Sequence, residues 1–141
     1  MRELSIAGLI GRFTLVRFLL VGVFNTLLGL GIIYTLKYAF GVHDAVANLI
    51  GYAIGFVASF FLNRQYTFRF RGATIGTFVK FGTVVAAAYL VNLSVVMLAV
   101  SSGVDSYLAQ ALGVLPYTAV TYLGSRHFVF PAPRLQGNHA A

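Results

Sequence analysis

The amino-acid sequence predicts an all-α membrane protein whose four transmembrane helices form a tandem repeat of two helical hairpins. Composition is the first reason, because 59% of the 141 residues are hydrophobic, 9% are charged and the mean hydropathy is +0.86. Soluble domains carry about 25% charged residues, so this chain lacks the polar surface that water would require. The other reasons are a motif that occurs twice and a set of long apolar runs.

The repeated motif marks both ends of each half of the chain. The first half opens at Arg17-Phe18 and closes at Asn63-Arg64-Gln65-Tyr66-Thr67-Phe68. The second opens at Lys80-Phe81 and closes at Ser125-Arg126-His127-Phe128-Val129-Phe130. We call residues 63–68 the first closure and residues 125–130 the second closure. The opening cations are 63 residues apart and the closing arginines 62, and a period of this kind indicates a duplicated structural unit.

The apolar runs predict transmembrane helices at roughly 17–38, 44–63, 79–100 and 104–124, since about 20 helical residues cross a bilayer. The alternation of polar and apolar residues that is typical of barrel strands does not occur. We therefore expect one membrane domain over residues 1–141. Residues 131–141 would be a cytoplasmic tail. Residues 1–16 would be a cytoplasmic segment, which either forms a helix in the headgroup layer through apolar positions 6, 9, 10 and 13 or is frayed.

Charge predicts the orientation. Nine of the ten basic residues lie before the first span, between the second and third, or after the fourth: Arg2, Arg12, Arg17, Arg64, Arg69, Arg71, Lys80, Arg126 and Arg134. The other connections carry Lys37, Asp44 and Asp105. The positive-inside rule then places both termini in the cytoplasm. Because the cations flank spans, the net charge of +7 favours anionic lipids over nucleic acid as partners.

The spans contain little that could carry out catalysis or ion coupling. The three carboxylates, Glu3, Asp44 and Asp105, lie in the N-terminal segment or at span ends. A transporter driven by protons or ions usually retains a carboxylate at depth, so its absence argues against a small multidrug-type exporter. The chain has no cysteine and its three histidines are scattered. We therefore expect no enzyme activity, no metal and no cofactor.

A stripe of small residues recurs at every fourth position of the second predicted span. It consists of Ala47, Gly51, Gly55, Ser59 and Asn63, and its counterpart in the fourth span is Ala109, Gly113, Tyr117, Thr121 and Ser125. Such stripes let helices approach closely, and we interpret the glycines as packing positions. Pro116 departs from the repeat. Its ring frees the carbonyl four residues earlier, so we expect a kink near Gly113.

Buried amides are the second group of candidate residues. An amide that faced lipid would leave polar groups in hydrocarbon at a cost of several kcal/mol, so Asn25, Asn48 and Asn92 should face protein or a cavity. The sequence leaves open whether they hold helices together or line a substrate path. The full candidate path is Asn25, Asn48, Asn63, Asn92 and Gln110.

The closures are the best functional candidates. Arginine offers planar donors that suit phosphate oxygens, so we interpret Arg17, Arg64, Lys80 and Arg126 as a basic collar for a lipid phosphate at one membrane face. The equally weighted alternative is that they are ordinary anchors that snorkel to the interface. Interfacial aromatic anchors would be Tyr66, Phe68, Phe128 and Phe130. Arg2, Arg69, Arg71 and Arg134 lie further from the spans, and we interpret them as topology determinants.

The chain resembles the GtrA-like family of small bacterial membrane proteins. The resemblance rests on Arg17-Phe18-Leu19-Leu20-Val21-Gly22 with Asn25, on Ala47-Asn48-Leu49-Ile50-Gly51, and on the two closures. It covers roughly residues 17–130. Two departures are that Tyr66 stands where the family often has tryptophan and that Ser125 replaces the asparagine of the first closure.

The resemblance implies a flippase that moves a polyprenyl-phosphate-linked monosaccharide across the bacterial cytoplasmic membrane for cell-surface polysaccharide synthesis. Because the spans have no carboxylate that could couple transport to an ion gradient, the lipid-linked sugar would move down its own concentration gradient. The alternative is a membrane adaptor that recruits or stabilises a polyprenyl-phosphate glycosyltransferase, which the small-residue stripes would also suit. A homo-oligomer is weakly favoured, because four short helices enclose little volume.

Overall fold

The computed structural model describes residues 6–133, which form four α-helices and two single turns of π-helix and contain no β-strand. The helices are α1 (Ile6–Phe40), α2 (Asp44–Leu62), α3 (Thr74–Ser101) and α4 (Ser106–Gly124). The first π turn, Asn63–Thr67, continues α2, and the second, Ser125–Val129, continues α4. The all-helical prediction is confirmed. The predictions for Arg2, Glu3, Arg134 and the tail fall outside the described residues.

Within residues 6–133, three helical segments are long and apolar enough to cross a membrane. They are Gly11–Phe40, Asp44–Thr67 and Thr74–Ser101, and most of their side chains are not buried against the rest of the protein. The exposed side chains include many large aliphatic and aromatic groups, which would be unfavourable in water and are favourable in lipid. The protein is therefore a membrane protein.

The fourth predicted span is confirmed as a helix but not as a membrane crossing. A helix does form there, α4, but it is not apolar enough to be counted as a membrane span. Gln110, Pro116 and the tyrosines at positions 107, 117 and 122 lower its hydropathy. Pro116 lies inside α4, and the kink expected near it stays a prediction.

The N-terminal segment is part of the first helix. Residues 6–16, which we expected to be an interfacial helix or a frayed segment, are the first turns of α1. A 35-residue helix is about 52 Å long at 1.5 Å per residue, and the hydrocarbon core is about 30 Å thick. One end of α1 must therefore extend beyond the hydrocarbon or the helix must tilt strongly.

The contacts divide the chain into two compact units, residues 1–71 and 72–141. In the first unit α1 packs along α2, and in the second α3 packs along α4. Each unit is therefore a helical hairpin. The prediction of a single domain is not tested by this division and stays a prediction.

The tight turns of the two hairpins are built in the same way. α1 ends directly before Gly41, which has φ of +63°, and α3 ends two residues before Gly103, which has φ of +86°. A glycine with positive φ commonly follows the C-terminus of a helix. The next helix is capped by a side chain that accepts a backbone N–H, His43 for α2 and Asp105 for α4. These cap positions are 62 residues apart, as are the two glycines.

The small-residue stripe of α2 packs against α1. A Cβ atom added to Gly51 would lie 2.5 Å from Cγ1 of Ile33 and 3.2 Å from the carbonyl oxygen of Gly29. A Cβ atom on Gly55 would lie 3.4 Å from the amide oxygen of Asn25. The glycines therefore permit close approach of the two helices, as the packing interpretation requires.

The corresponding stripe of α4 packs against α3. A Cβ atom on Gly113 would overlap the amide of Asn92 and lie 2.8 Å from Val96. Gly124, which is adjacent to the stripe residue Ser125, also packs against α3, because its Cβ atom would lie 2.6 Å from Val84. Ala47 and Ala109, at the start of the two stripes, are fully buried. The core of each hairpin is thus a narrow seam of small residues with a few aromatic rings.

Candidate functional site

At the first closure, the π turn that continues α2 packs against α1 near Arg17 and Phe18. The guanidinium carbon of Arg17 lies 5.6 Å from the centre of the Tyr66 ring, which is within cation–π range. The rings of Phe18 and Phe68 lie beside them with centroids 6.4 Å apart. The residues that open and close the first unit therefore meet at one end of the hairpin.

The second closure has the same arrangement. The ammonium nitrogen of Lys80 lies 5.3 Å from the centre of the Phe128 ring, and the ring centroids of Phe81 and Phe130 are 6.3 Å apart. In both closures the ring that contacts the cation is about half exposed, Tyr66 at 48% and Phe128 at 52%. The other ring packs inward: Phe68 is half-buried and Phe130 is 3% exposed.

The backbone at each closure is held by wide-turn hydrogen bonds. The amide of Phe68 donates to the carbonyl of Asn63 at 2.8 Å, and the amide of Phe130 donates to that of Ser125 at 2.8 Å. These are i→i−5 bonds, which define a π turn. Because a π turn is wider than an α turn, it changes the direction in which the closing aromatic and basic side chains point. Single π turns often occur at functional sites.

The first closure continues into a cluster of arginines around a cavity of about 510 Å³. Its lining residues are Arg64, Gln65, Arg69, Phe70 and Arg71, which we call the arginine cup. The amide of Phe70 donates to the carbonyl of Arg64 at 2.8 Å, so the chain after the π turn folds back over the turn itself. Arg64 and Phe70 are half-buried, and the other three residues are exposed.

The arginine cup contains residues whose role the sequence did not indicate. Arg69 and Arg71 were interpreted as topology determinants, yet the structure places them around the same cavity as Arg64. The available signal was the presence of three arginines within eight residues, 64–71. Charge density alone, however, does not predict that the chain turns back on itself, which depends on the π turn and on the positive φ of Arg69.

The closing arginine of the second unit has a defined partner. Arg126 is half-buried, and one of its terminal nitrogens donates to the hydroxyl oxygen of Tyr122 at 3.0 Å. The residue 62 positions before Tyr122 is Phe60, which has no hydroxyl. The two closing arginines therefore have different chemical surroundings.

Two of the candidate path amides are in helix packing positions. Asn25 packs against Gly55, and its buried amide oxygen has no hydrogen-bond partner. Asn92 packs against Gly113 in the second unit. Both amides therefore face the neighbouring helix of their own unit, in agreement with the expectation that they avoid lipid.

The other candidate amides bond locally or are exposed. Asn48 donates to the carbonyl of Asp44 at 2.8 Å. Asn63 is buried and donates to the carbonyl of Ser59 at 2.9 Å and to its hydroxyl at 3.2 Å. Gln110 is exposed on α4. A substrate path through all five amides stays a prediction, as does a collar that combines the four cations of both units.

Comparison with known protein families gives an independent result. A family model described as the GtrA/DPMS transmembrane domain matches residues 17–130, which include both openings and both closures. Among curated proteins no significant match was found. The matched range covers most of the chain and agrees with the resemblance inferred from the closures. The chain therefore belongs to the GtrA/DPMS transmembrane-domain family.

Proposed function

We propose that this protein is a flippase for a polyprenyl-phosphate-linked monosaccharide in the bacterial cytoplasmic membrane. The observation that carries the proposal is membership of the GtrA/DPMS family over residues 17–130. The closures are compatible with this role, because each pairs a cation with an exposed aromatic ring at one end of a hairpin. Such groups suit the phosphate and interface region of a lipid.

The proposal includes a tandem repeat of two hairpins with both termini in the cytoplasm, and α4 as the fourth crossing. The repeat is supported by features that recur 62 residues apart: helix-ending glycines, helix caps and π turns. The orientation is supported by the distribution of basic residues. In this arrangement Arg17, Arg64, Lys80 and Arg126 share the cytoplasmic face.

The proposed mechanism is passive and involves no bond making or breaking. The phosphate binds the cations at the cytoplasmic face, the sugar passes between helices near amides such as Asn25 and Asn92, and the polyprenyl chain remains in lipid. No residue is assigned to couple transport to an energy source, so the lipid-linked sugar moves down its concentration gradient. Consumption of the lipid-linked sugar on the outer side maintains that gradient.

One argument for the adaptor alternative, the small-residue stripes, is weaker once their packing is known. The small-residue stripes would suit a partner helix, but Gly51, Gly55 and Gly113 pack against the neighbouring helix of their own unit. A glycosyltransferase partner or a second copy of the chain would therefore have to dock on another helix face. We keep transport as the proposed function.

The test is reconstitution into liposomes with a labelled polyprenyl-phosphoryl monosaccharide, measured as the rate at which the label becomes accessible on the opposite side. The protein should raise this rate above that of protein-free liposomes. Arg64→Ala should lower it, and Arg12→Ala should not, since Arg12 is an exposed residue of α1 outside the closures. Equal rates with and without protein would refute the proposal.

A further inference from the structure

We infer that the arginine cup of the first unit is a binding site for a phosphate group, and that the second closure has no equivalent. The inference adds Arg69 and Arg71 to the candidate site and assigns unequal roles to the two halves of the chain. It takes its ligand class from the proposed function, so it rests partly on that proposal.

The composition of the cup suits a phosphate. Three arginines, Arg64, Arg69 and Arg71, line one open cavity. Guanidinium groups bind phosphate oxygens through paired, charge-assisted hydrogen bonds. The cavity volume of about 510 Å³ also exceeds the size of one phosphate group. The other lining residues, Gln65 and Phe70, are uncharged.

The backbone of the cup is held in an uncommon conformation. Arg69 has φ of +50°, the only positive φ at a non-glycine position among residues 6–133. This region is unfavourable for a residue with a long side chain, and such strain persists where the surrounding structure imposes it. Here the bond from Phe70 to Arg64 closes the loop around Arg69. The residue that adopts this strained conformation is thus one of those that line the cavity.

The positive charge of the cup has few acidic counterparts in the chain. Only three acidic residues occur. Asp44 pairs with Lys37 at 3.1 Å, Asp105 caps α4 through the amides of Tyr107 and Leu108, and Glu3 is outside the described residues. A phosphate bound in the cavity would add negative charge beside three basic residues, in a chain that has few carboxylates.

The second closure differs at the corresponding positions. Counting 62 residues from Arg69 and Arg71 leads to Pro131 and Pro133, which have no charge and no donor. Arg126, the counterpart of Arg64, donates to the hydroxyl of Tyr122. Within residues 125–133, where the description of this unit ends, the second closure thus keeps the cation and the aromatic packing and has no arginine besides Arg126. A phosphate should bind the first closure in preference.

The test measures binding of a short-chain polyprenyl phosphate to the full-length protein in phosphatidylcholine nanodiscs, with the matching polyprenol as the phosphate-free ligand. Arg69→Gln and Arg71→Gln should each weaken binding of the phosphate roughly tenfold, the value of one charge-assisted hydrogen bond. Arg12→Gln removes the same charge from an exposed position outside the cup and should leave binding unchanged. Binding of the polyprenol should not respond to any of these variants.

Competition with inorganic phosphate identifies the source of the ligand. If inorganic phosphate binds with the same dependence on Arg69 and Arg71 and displaces the lipid, the cup recognises the phosphate group alone. If only the lipid binds, the cup recognises a headgroup presented by the membrane. Both results support the site. Equal binding by Arg69→Gln, Arg71→Gln and Arg12→Gln would overturn it.

The same variants separate this inference from the proposed function. If binding of the polyprenyl phosphate depends on Arg69 and Arg71 but the protein does not accelerate flipping in liposomes, the site is supported and transport is refuted. If flipping is accelerated but phosphate binding does not depend on Arg69 and Arg71, transport is supported and the site is refuted. Thermal unfolding of each variant in the same nanodiscs checks that the fold is retained.

Discussion

Arg69 shows how a single backbone angle connects strain to a candidate site. Its φ of +50° is a conformation that glycine adopts without steric cost. Arg69→Gly should therefore raise the free energy of unfolding by up to about 1 kcal/mol. Relief of a left-handed conformation that costs about 1–2 kcal/mol in an ordinary residue stabilises the fold, and the greater entropy of glycine in the unfolded chain offsets part of that gain. Reversible chemical unfolding in detergent micelles would measure this.

The control for that prediction is Arg71→Gly, whose φ is not positive, so that glycine should add only flexibility there and lower stability. A destabilisation by Arg69→Gly as large as that by Arg71→Gly would contradict the strain argument. Arg69→Gly should nevertheless lose phosphate affinity, which would separate the contribution of the guanidinium from that of the fold.

The cation–π contact between Arg17 and Tyr66 should stabilise the first unit. At 5.6 Å in a partly exposed setting, we expect about 0.5–1 kcal/mol. A double-mutant cycle with Arg17→Gln and Tyr66→Leu, measured by unfolding, isolates this energy. The cycle of Arg12→Gln with Tyr66→Leu should give a coupling near zero. Equal coupling in both cycles would show that the contact contributes nothing specific.

At the residue scale, the sequence identified the closures but not their geometry. Arg17, Arg64 and Tyr66 could be recognised as candidates because cations and aromatic residues recur at matched positions. Their contacts could not be predicted from helical periodicity, since each closure is a π turn and side chains no longer repeat every 3.6 residues. Arg69 was missed for a related reason, as it lacks the glycine or asparagine that usually signals positive φ.

At the scale of elements, the glycine stripes make a clear stability prediction. Gly51→Ala should destabilise the first unit by about 1–3 kcal/mol, the usual cost of overpacking, since its Cβ would meet Ile33 and the backbone of Gly29. The matched control is Gly31→Ala on α1, where nothing lies within 4 Å of the added atom. That variant should leave the unfolding midpoint unchanged or raise it slightly, because alanine favours helix.

Helix positions were more predictable than helix ends. Spacing of small residues at every fourth position predicted which faces of α2 and α4 would approach another helix, and Gly51 and Gly113 lie in such contacts. The π turns at Asn63 and Ser125 had no recognisable signal, because the residues that form them would also suit an α-helix. Apolar length predicted four membrane-spanning helices, of which three are long and apolar enough to cross a membrane. The crossing of α4, which is more polar because of its tyrosines and Gln110, stays a prediction.

At the scale of the whole molecule, the two units share local features of packing and differ at their closures. The seam of small residues, the helix-ending glycine and the closing π turn recur, because they are what a helical hairpin needs in order to pack. The differences are concentrated at the closures, in Tyr122 and Arg126 of the second unit and in Arg69 and Arg71 of the first. If the arginine cup binds phosphate as we infer, the two units would share their packing and differ in binding residues.

The polarity of α4 makes the number of crossings the decisive property of the whole chain. The chain has no cysteine, so single cysteines can be introduced at exposed positions 73, 102 and 127 as Ala73→Cys, Ser102→Cys and His127→Cys. In sealed vesicles, a membrane-impermeant maleimide should label positions 73 and 127 from the cytoplasmic side and position 102 from the outside. Labelling at 73 and 102 checks α3, whose crossing its hydropathy already favours.

The side from which position 127 is labelled then shows whether α4 crosses the membrane. If α4 crosses the membrane, both closures lie at the cytoplasmic face, and Arg17, Arg64, Lys80 and Arg126 can contact the same leaflet. If positions 102 and 127 are labelled from the same side, α4 does not cross, and Arg126 lies at the opposite face from Arg64. The shared collar would then be wrong. The arginine cup would survive, because all of its residues belong to the first unit, and phosphate recognition would be a property of that hairpin alone.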